Sequence, residues 1–276
     1  MSQPLHATIV MPLKSQQDHW LCQSLNSALE QTVATEVLVV TSQATPESNR
    51  AILQQATAKN SNLRTIERPR GAGFAQAINL GFDEARTERV GLLLTDDWLA
   101  DNAVEKCLKH DADIVATARV AHAADGIKIL WNSTADQARF DTMPTLQEQA
   151  SYVGHFILFQ RAAVLAVGGV DPEIGLTGAD DYDLIWTMLE NNATVKLIPD
   201  TLYHYRDHDG ERLTMRAQHE QIHDLRKILA KHGVAPEETE RLVASKARWY
   251  GVPCHFAIDH PDWYQTTNLR SSSSNV

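Results

Sequence analysis

Apolar runs and amphipathic stretches alternate along the first third of the chain. The runs at residues 7–11, 36–42, 63–67 and 89–95 are rich in Val, Ile and Leu and predict four short strands. Between them, apolar positions recur every three or four residues, which predicts three helices. Strands that alternate with helices form βαβ units. We therefore expect an α/β protein with a mainly parallel central sheet flanked by helices.

The second half mixes shorter strands with helices and turn-rich loops, and from about residue 212 the apolar spacing becomes helical. The closing residues "NLRSSSSNV" are of low complexity, which predicts disorder. We expect one domain over 1–215, with halves at 1–118 and 119–215. A helical C-terminal extension over 216–265 and a disordered tail at 266–276 would follow.

Charge and cysteine content narrow the class of protein. The 276 residues include 25 Lys and Arg against 35 Asp and Glu, a formal net charge of −10. This negative balance argues against a broad nucleic-acid-binding surface, which needs a basic face. It does not exclude a local basic patch. The three cysteines, Cys22, Cys107 and Cys254, form no Cys-x-x-Cys pair and predict a reducing compartment.

The sequence contains no apolar stretch approaching the roughly 18 to 20 residues of a membrane span. Its first residues, "MSQPLHATIVMPLKS", also lack a basic region followed by a long apolar segment. We expect a cytoplasmic protein without a membrane span, and a homo-oligomer is one possible state.

Two carboxylates, Asp96 and Asp97, directly follow the fourth predicted strand in "GLLLTDDWLAD". Ligands of open α/β sheets bind beyond the carboxyl ends of the strands, where these residues are placed. Carboxylates there can hold Mg²⁺ or Mn²⁺ together with the oxygens of a diphosphate. A cap for the helix predicted after "LAD" is the alternative, and this short motif does not decide between them.

A second acidic pair, Asp180 and Asp181, begins the predicted helix "ADDYDLIWTMLENN". Helical spacing places the pair on the same face as the apolar residues Leu184 and Ile185, so both should point toward the body of the protein. Acids in a first helical turn also interact favourably with the helix dipole, which is the simpler explanation. Inward-facing carboxylates beside a glycine-rich loop are, however, what a general base requires.

The segment "TLYHYRDHDGERLT" combines histidine and arginine near the end of a predicted strand. His208 could complete a metal site, and Arg206 or Arg212 could neutralise a phosphate. In "RPRGAGFAQAINLG" a glycine precedes a helix, but the remainder of a dinucleotide fingerprint is missing. We expect close packing there, with Ala75, Ala77 and Asn79 allowing the helix to approach the nucleotide edge of the sheet.

The order of these segments resembles family 2 glycosyltransferases with the Rossmann-like GT-A fold, over about residues 7–215. The resemblance rests on "TIVMPLKS", "LCQSLNSALEQT", "EVLVV", "GFAQAINLG", "LLLTDDWL", "FQRAAVLAVGGVDPEIGLTGADDYDLIWTML" and "LIPDTLYHYRDH". It implies a nucleotide-sugar half at 1–118 and an acceptor half at 119–215.

The resemblance also implies residue roles. Asp96 matches the metal-binding last residue of the family's Asp-x-Asp motif, and His208 matches a histidine that joins the metal or diphosphate. Asp181 matches the presumed catalytic base, with Asp180 in place of the usual Glu. The predicted donor site comprises Pro12, Leu13, Thr41, Ser42, Gly73, Asn79, Thr95, Asp97 and Arg206.

Two departures from the family pattern concern the donor. Leu94 replaces the first Asp of Asp-x-Asp, and Thr41 and Ser42 replace the acidic pair that usually ends the second strand. We expect these changes to affect nucleotide specificity and, to a lesser degree, activity.

The resemblance implies an inverting, metal-dependent glycosyltransferase that moves a sugar from a nucleoside-diphosphate sugar to an acceptor hydroxyl, with Mn²⁺ or Mg²⁺ as cofactor. The acceptor would be a saccharide or another hydroxyl compound. A GT-A-fold protein that binds a ligand or partner without catalysis is the alternative. A sugar-nucleotide nucleotidylyltransferase would need a Gly-rich loop bearing Arg and Lys after the first strand, and "MPLKSQQD" lacks it.

Overall fold

The computed structural model describes residues 4–174, 180–208 and 218–246. The predicted tail at 266–276, the end of the helical extension from residue 247, Cys254 and Arg212 lie outside these residues. Of Asp180, only the backbone is described.

Four strands and three helices alternate in the first third of the chain, as the hydrophobic pattern predicts. In order they are β1 (Ala7–Pro12), α1 (Asp18–Leu29), β2 (Thr35–Thr41), α2 (Glu47–Lys59), β3 (Leu63–Glu67), α3 (Phe74–Glu84) and β4 (Arg89–Leu92). Every residue of β1 and β2 is buried, as is typical of central strands covered on both faces.

The remaining elements are shorter and more varied. They are β5 (Trp98–Leu99), α4 (Ala103–Leu108), β6 (Ile114–His122), β7 (Ile129–Asn132), α5 (Gln137–Asp141), α6 (Leu146–Tyr152), β8 (Ile157–Gln160), α7 (Arg161–Ala166), α8 (Asp180–Glu190), β9 (Val195–Arg206), α9 (Gln218–Lys231) and α10 (Pro236–Lys246).

The strands form one sheet in the order β3-β2-β1-β4-β8-β6-β9-β5, and β7 pairs with β6. Pairing is parallel from β3 to β4 and again between β6 and β9. However, β8 runs antiparallel to both β4 and β6, and β5 antiparallel to β9. The predicted α/β sheet flanked by helices is confirmed, with parallel pairing throughout its first half and mixed pairing in its second.

The strands around the acidic motif differ in part from the predicted ones. The fourth strand ends at Leu92 rather than at residue 95, and the two-residue strand β5 follows the turn that holds Asp96. Strand β9 runs without a break from Val195 to Arg206, and its register against β6 shifts near Ala118. These irregularities bring the end of β9 beside the end of β4.

Helices cover both faces of the sheet. On β1, Ile9 and Met11 face a cluster formed with α1, α2 and α4, while Val10 faces the opposite cluster with α3 and α8. The helical extension joins the second cluster through the apolar residues Leu225, Ile228, Leu229, Leu242 and Val243. The described part of the C-terminal extension therefore packs against the main domain. Among the helices that the structure describes, none has the length and apolar character to cross a membrane.

Helix α3 lies unusually close to β1 at Gly81. A Cβ atom at this position would lie 2.2 Å from Cγ1 of Val10, far inside van der Waals contact. The helix approaches the central strand so closely because residue 81 has no side chain.

We therefore expect Gly81→Ala to lower the free energy of unfolding by about 1–3 kcal/mol, because an overpacked core forces the helix outward. The matched control is Gly154→Ala, since a Cβ at Gly154 has no neighbour within 4 Å. Urea unfolding measures both changes. Equal stability of the two variants would contradict the close approach.

Candidate active site

The carboxyl ends of β1, β2 and β4 meet at one edge of the sheet. There the amide of Leu13 donates to Val40 O at 2.9 Å, and the Thr45 hydroxyl donates to Leu13 O at 3.1 Å. The Ser42 amide donates to the same Thr45 hydroxyl at 3.0 Å. The loop after β1, which begins beyond Pro12, is thus tied to the loop after β2.

Arginines that the sequence patterns did not single out stabilise this edge. The guanidinium of Arg50 donates to Ser42 O at 2.7 Å, to Thr45 O at 3.1 Å and to the Glu67 carboxylate at 2.9 Å. The Arg68 amide donates to Thr41 O at 3.0 Å, and its guanidinium reaches Gly73 O, the residue before α3. Of the predicted donor residues, Thr41, Ser42 and Gly73 therefore belong to one connected edge.

Asp96 and His208 lie side by side beyond β4 and β9. The distance from Asp96 Oδ2 to His208 Nε2 is 3.1 Å, and the Trp20 ring lies 4.5 Å from the His208 ring. Two ligands of an octahedral Mg²⁺ or Mn²⁺ ion, each at about 2.1 Å and 90° apart, would lie about 3.0 Å from each other. This is also the distance of a hydrogen bond between the imidazole and the carboxylate, so it is the donor set, one oxygen and one ring nitrogen at ligand spacing, that fits a divalent cation.

Within the described residues, no three side chains of the His, Cys, Asp or Glu type form a metal-binding group. Asp96 and His208 would supply two ligands, so further ligands would have to come from bound substrate or water. Mg²⁺ is often held in this way, by one or two carboxylates plus phosphate oxygens.

Asp97 points away from this pair into the protein, where it is 1% exposed. The Tyr203 hydroxyl donates to its Oδ2 at 2.5 Å, and the Arg206 amide donates to its Oδ1 at 2.7 Å. Burial and the charge of Asp96 raise the pKa of Asp97 well above its ordinary value, although both hydrogen bonds act against the increase. The geometry makes Asp97 a support for the Asp96 turn.

The Arg206 side chain is also buried. Its guanidinium donates to Asp96 O at 3.0 Å and to Ala124 O at 2.8 Å, contacts the Gln23 side chain and lies 4.8 Å from the Trp98 ring centre. These contacts hold the Asp96 turn to α1 and to the loop after β6. These contacts occupy the guanidinium group, for which the sequence suggested a role in neutralising phosphate.

Asn79 and Thr95 were also predicted near the donor. The Asn79 amide group exchanges two hydrogen bonds of 2.8 Å with the backbone of Val170, which follows α7. Gly169 has φ +71° there, and a Cβ on it would lie 2.3 Å from Asn79 Oδ1. Asn79 thus fixes the turn after α7, whereas Thr95 is buried in the Asp96 turn.

Asp181 lies in the first turn of α8 beside His155, which precedes β8. The distance from Asp181 Oδ2 to His155 Nε2 is 3.1 Å, and the Tyr182 amide donates to Asp181 Oδ1 at 2.8 Å. The Asp181 side chain is 33% exposed, so it can be reached from solvent. Burial acts to raise the pKa of Asp181, but the His155 contact and the charge of Arg119 outweigh it and lower the pKa.

Tyr203 connects the two acidic centres. Its ring lies 5.5 Å from the His155 ring, while its hydroxyl binds Asp97. Arg119 on β6 acts electrostatically on both Asp97 and Asp181. The structure therefore brings Asp96, Asp97, His208 and Asp181, separated by up to 112 positions, into one neighbourhood.

Sequence reasoning did not single out Arg119, His155 or Lys246. Lys246 ends α10, donates to Ser151 Oγ at 3.0 Å and lies 4.7 Å from the Tyr182 ring centre. A signal was present for two of them, because Arg119 and His155 interrupt otherwise apolar segments, "DIVATARV" and "YVGHFILFQ". Polar residues buried in such segments need partners, but the sequence does not say which.

Helix α8 is anchored at Asp183, which is 1% exposed. Lys231 Nζ lies 2.7 Å from Asp183 Oδ2, and His232 Nε2 lies 3.0 Å from Asp183 Oδ1. His232 Nδ1 also lies 2.9 Å from Glu190 Oε1, and the ring stacks on Trp186 at 4.1 Å. The extension thus holds the helix that carries Asp181.

Solved structures of glycosyltransferases share this arrangement of strands and helices. Staphylococcus aureus TarS 1–349 in complex with UDP-GlcNAc is 16% identical, with a TM-score of 0.62 over 87% of this chain and 71% of that one. Mannosyltransferase PcManGT from Pyrobaculum calidifontis, in complex with GDP-Man and Mn²⁺, is 16% identical, with a TM-score of 0.61 over 98% and 76%. The fold is GT-A, as predicted.

The sequence model of glycosyl transferase family 2 matches residues 8–168, which is more than half of the chain. The chain belongs to this family. The O-antigen biosynthesis protein RfbC of Myxococcus xanthus is 27% identical over 201 residues, 72% of this chain but 16% of that protein. Chondroitin synthase of Pasteurella multocida strain Pm70 is 29% identical over 91 residues, 33% of this chain and 9% of that protein. The matches thus span a small part of these curated relatives.

The anchor of α8 should make stability depend on pH. Burial disfavours a charged His232, but Asp183 and Glu190 outweigh it and raise the pKa of His232. A raised folded-state pKa means that this stabilisation is complete below the unfolded value of about 6.5 and is lost as pH rises through the folded value.

We therefore expect His232→Phe, which keeps a ring against Trp186, to cost more stability at pH 5.5 than at pH 8.5. Urea unfolding of wild type and variant at both pH values measures the difference. The same substitution at His223, which is exposed on α9, controls for the added phenyl ring. A cost independent of pH would contradict the charge contribution of His232.

Proposed function

We propose that this chain is an inverting glycosyltransferase that transfers a sugar from a nucleoside-diphosphate sugar to an acceptor hydroxyl. One observation carries the proposal: the Asp96–His208 pair at the strand edge and the Asp181 carboxylate are connected through His155, Tyr203 and Asp97. A glycosyl transfer of this type needs a diphosphate site and a base on opposite sides of the reacting carbon.

In the proposed reaction, the ionised Asp181 accepts the proton of the acceptor hydroxyl. The acceptor oxygen then forms a bond to the anomeric carbon while the bond from that carbon to the phosphate oxygen breaks. The electron pair leaves with the nucleoside diphosphate, and attack from the opposite face inverts the anomeric centre. The lowered pKa of Asp181 supports this role because the base must be ionised before the acceptor binds.

Asp96 and His208 would hold Mn²⁺ or Mg²⁺ at the diphosphate. Such an ion, when bound, neutralises charge on the leaving group. The fit of the 3.1 Å pair to adjacent ligand positions supports the assignment, and so does the Mn²⁺ in the complex of the similar PcManGT. Thr41, Ser42, Gly73 and the loop after Pro12 would border the nucleoside.

The neighbours suggest which donors to test first. TarS was solved with UDP-GlcNAc and PcManGT with GDP-Man, so UDP- and GDP-sugars precede dTDP- and CMP-sugars in a hydrolysis screen. Hydroxyl-bearing saccharides are the first acceptors to add, since RfbC is described as an O-antigen biosynthesis protein.

The alternative is a GT-A-fold protein that binds a nucleotide or partner without catalysis. Leu94, Thr41 and Ser42 motivate it, because they stand where the family pattern has acids. Metal-dependent binding of UDP or GDP without turnover of any donor would favour this alternative. Turnover of one donor would exclude it.

We expect Asp181→Asn to lower kcat by about 10²- to 10⁴-fold, because the amide cannot accept the proton. Nucleotide affinity should stay within about threefold of wild type, since Asp181 does not touch the diphosphate in the proposed reaction. Asp83→Asn, an exposed position on α3, is the matched control. Full activity of Asp181→Asn would refute the assignment of the base.

Asp96→Asn and His208→Gln should each weaken binding of UDP or GDP in the presence of Mn²⁺ by at least about tenfold. With EDTA, the variants and wild type should bind equally weakly, because the metal contribution is gone. Isothermal titration calorimetry measures both conditions, and Asp101→Asn, exposed beyond β5, is the control. An unchanged affinity in Mn²⁺ would count against this metal site.

A further inference from the structure

We infer that His155 is a positioning residue for the base: it donates a hydrogen bond from Nε2 that holds Asp181 ionised and oriented toward the acceptor. This inference rests on the proposed function, because it assigns a partner to the proposed base. The evidence is the geometry around the imidazole ring.

The contact between His155 and Asp181 is short and sheltered. Nε2 lies 3.1 Å from Asp181 Oδ2, and the His155 side chain is 15% exposed, about half the exposed fraction of the Asp181 side chain. Asp181 is thus the outer member of the pair and His155 the inner one. An approaching hydroxyl meets the carboxylate first, which leaves the histidine to act through it.

The other ring nitrogen determines which tautomer fits. His155 Nδ1 is buried and has no hydrogen-bond partner among the described residues. A proton on Nδ1 would leave a buried donor unpaired, whereas an unprotonated Nδ1 leaves a less costly unpaired acceptor. The ring therefore fits best with its proton on Nε2, where it donates to Asp181.

The surroundings keep the ring in this orientation. The Tyr203 ring lies against it at 5.5 Å with 30° between the planes, and apolar residues line the cavity behind the pair. These are Phe82, Leu92, Ile157, Phe159, Val170 and Leu184. In such a setting a hydrogen bond to a charged group is strong, and loss of the donor removes that stabilisation from the partly exposed carboxylate.

Three charged or titratable groups act on Asp181 from the described elements packed around it. They are His155 before β8, Arg119 on β6 and Lys246 at the end of α10. Arg119 and Lys246 would remain in a His155 variant, so such a variant isolates the contribution of the imidazole. Loss of the hydrogen bond should raise the pKa of Asp181, and protonation would then inactivate the base at a higher pH than in wild type.

The experiment compares His155→Phe, which keeps a ring but removes the donor, with His155→Gln, whose side-chain amide can donate from a similar position. The probe reaction is hydrolysis of the UDP- or GDP-sugar that the wild-type chain turns over, followed from pH 3.5 to 8. In His155→Phe, the acidic limb of the kcat profile should move up by about one to two pH units, so that kcat falls about ten- to a hundredfold at the acidic end of this range and changes little at pH 8. His155→Gln should restore the limb to its wild-type position.

His110→Phe is the matched control. His110 O accepts a hydrogen bond from the side chain of Arg89, the first residue of β4, so His110 lies at the end of the sheet opposite the acidic edge. A purely structural effect of His155→Phe would lower kcat equally at all pH values. An unmoved acidic limb in His155→Phe, or one that His155→Gln fails to restore, would overturn the inference.

A second measurement does not depend on turnover. Long-range ¹H–¹⁵N spectra of the histidine rings, with the His155 signal assigned by its absence in His155→Gln, report which nitrogen carries the proton at pH 7. We expect Nε2 to be protonated and Nδ1 unprotonated, and the signals to shift in Asp181→Asn. A proton on Nδ1 would overturn the inference even if no donor is hydrolysed, whereas failure of the donor screen alone would count against the proposed function.

Discussion

The buried carboxylate of Asp97 holds the turn after β4 to the last strand of the sheet. A carboxylate out of contact with water is costly unless hydrogen bonds satisfy it, and here the Tyr203 hydroxyl and the Arg206 amide do so. The turn cannot move without breaking both contacts. Asp96 and the segment from Arg206 to His208 therefore keep their relative positions. This fixes the distance of 3.1 Å between the side chains of Asp96 and His208.

Strand β9 extends this constraint to the other side of the site. Tyr203 contributes its hydroxyl to Asp97 and its ring to His155, so one residue supports the Asp96 turn and the partner of the proposed base. Arg119, on the neighbouring strand β6, acts on both acidic centres. The register of β9 against β6 shifts near Ala118, directly before Arg119 and its partner Tyr203.

The sequence predicts the first half of the fold because strand and helix periodicities are local properties. It cannot predict β5, since a two-residue strand forms only where the folded chain offers a partner. The same limit applies to side chains. Asp96, Asp181 and His208 fall within motifs, whereas the pairing of His155 with Asp181 joins segments whose approach depends on the whole sheet. Arg206 is a residue for which a sequence motif suggested a different partner. Its charge suggested that it binds phosphate, but its buried guanidinium donates to backbone carbonyls instead.

Leu94 marks the largest departure from the pattern that family resemblance implies at the donor edge. Its carbonyl accepts from the Ser24 hydroxyl at 3.0 Å and from the Asp97 amide at 3.2 Å, so the backbone keeps a tight turn although a carboxylate is replaced. One negative charge fewer reduces repulsion of a diphosphate and also weakens the hold on a cation. Under the proposed function, the diphosphate must then supply a larger share of the metal ligands. Metal and nucleotide would accordingly bind together, each weakly without the other.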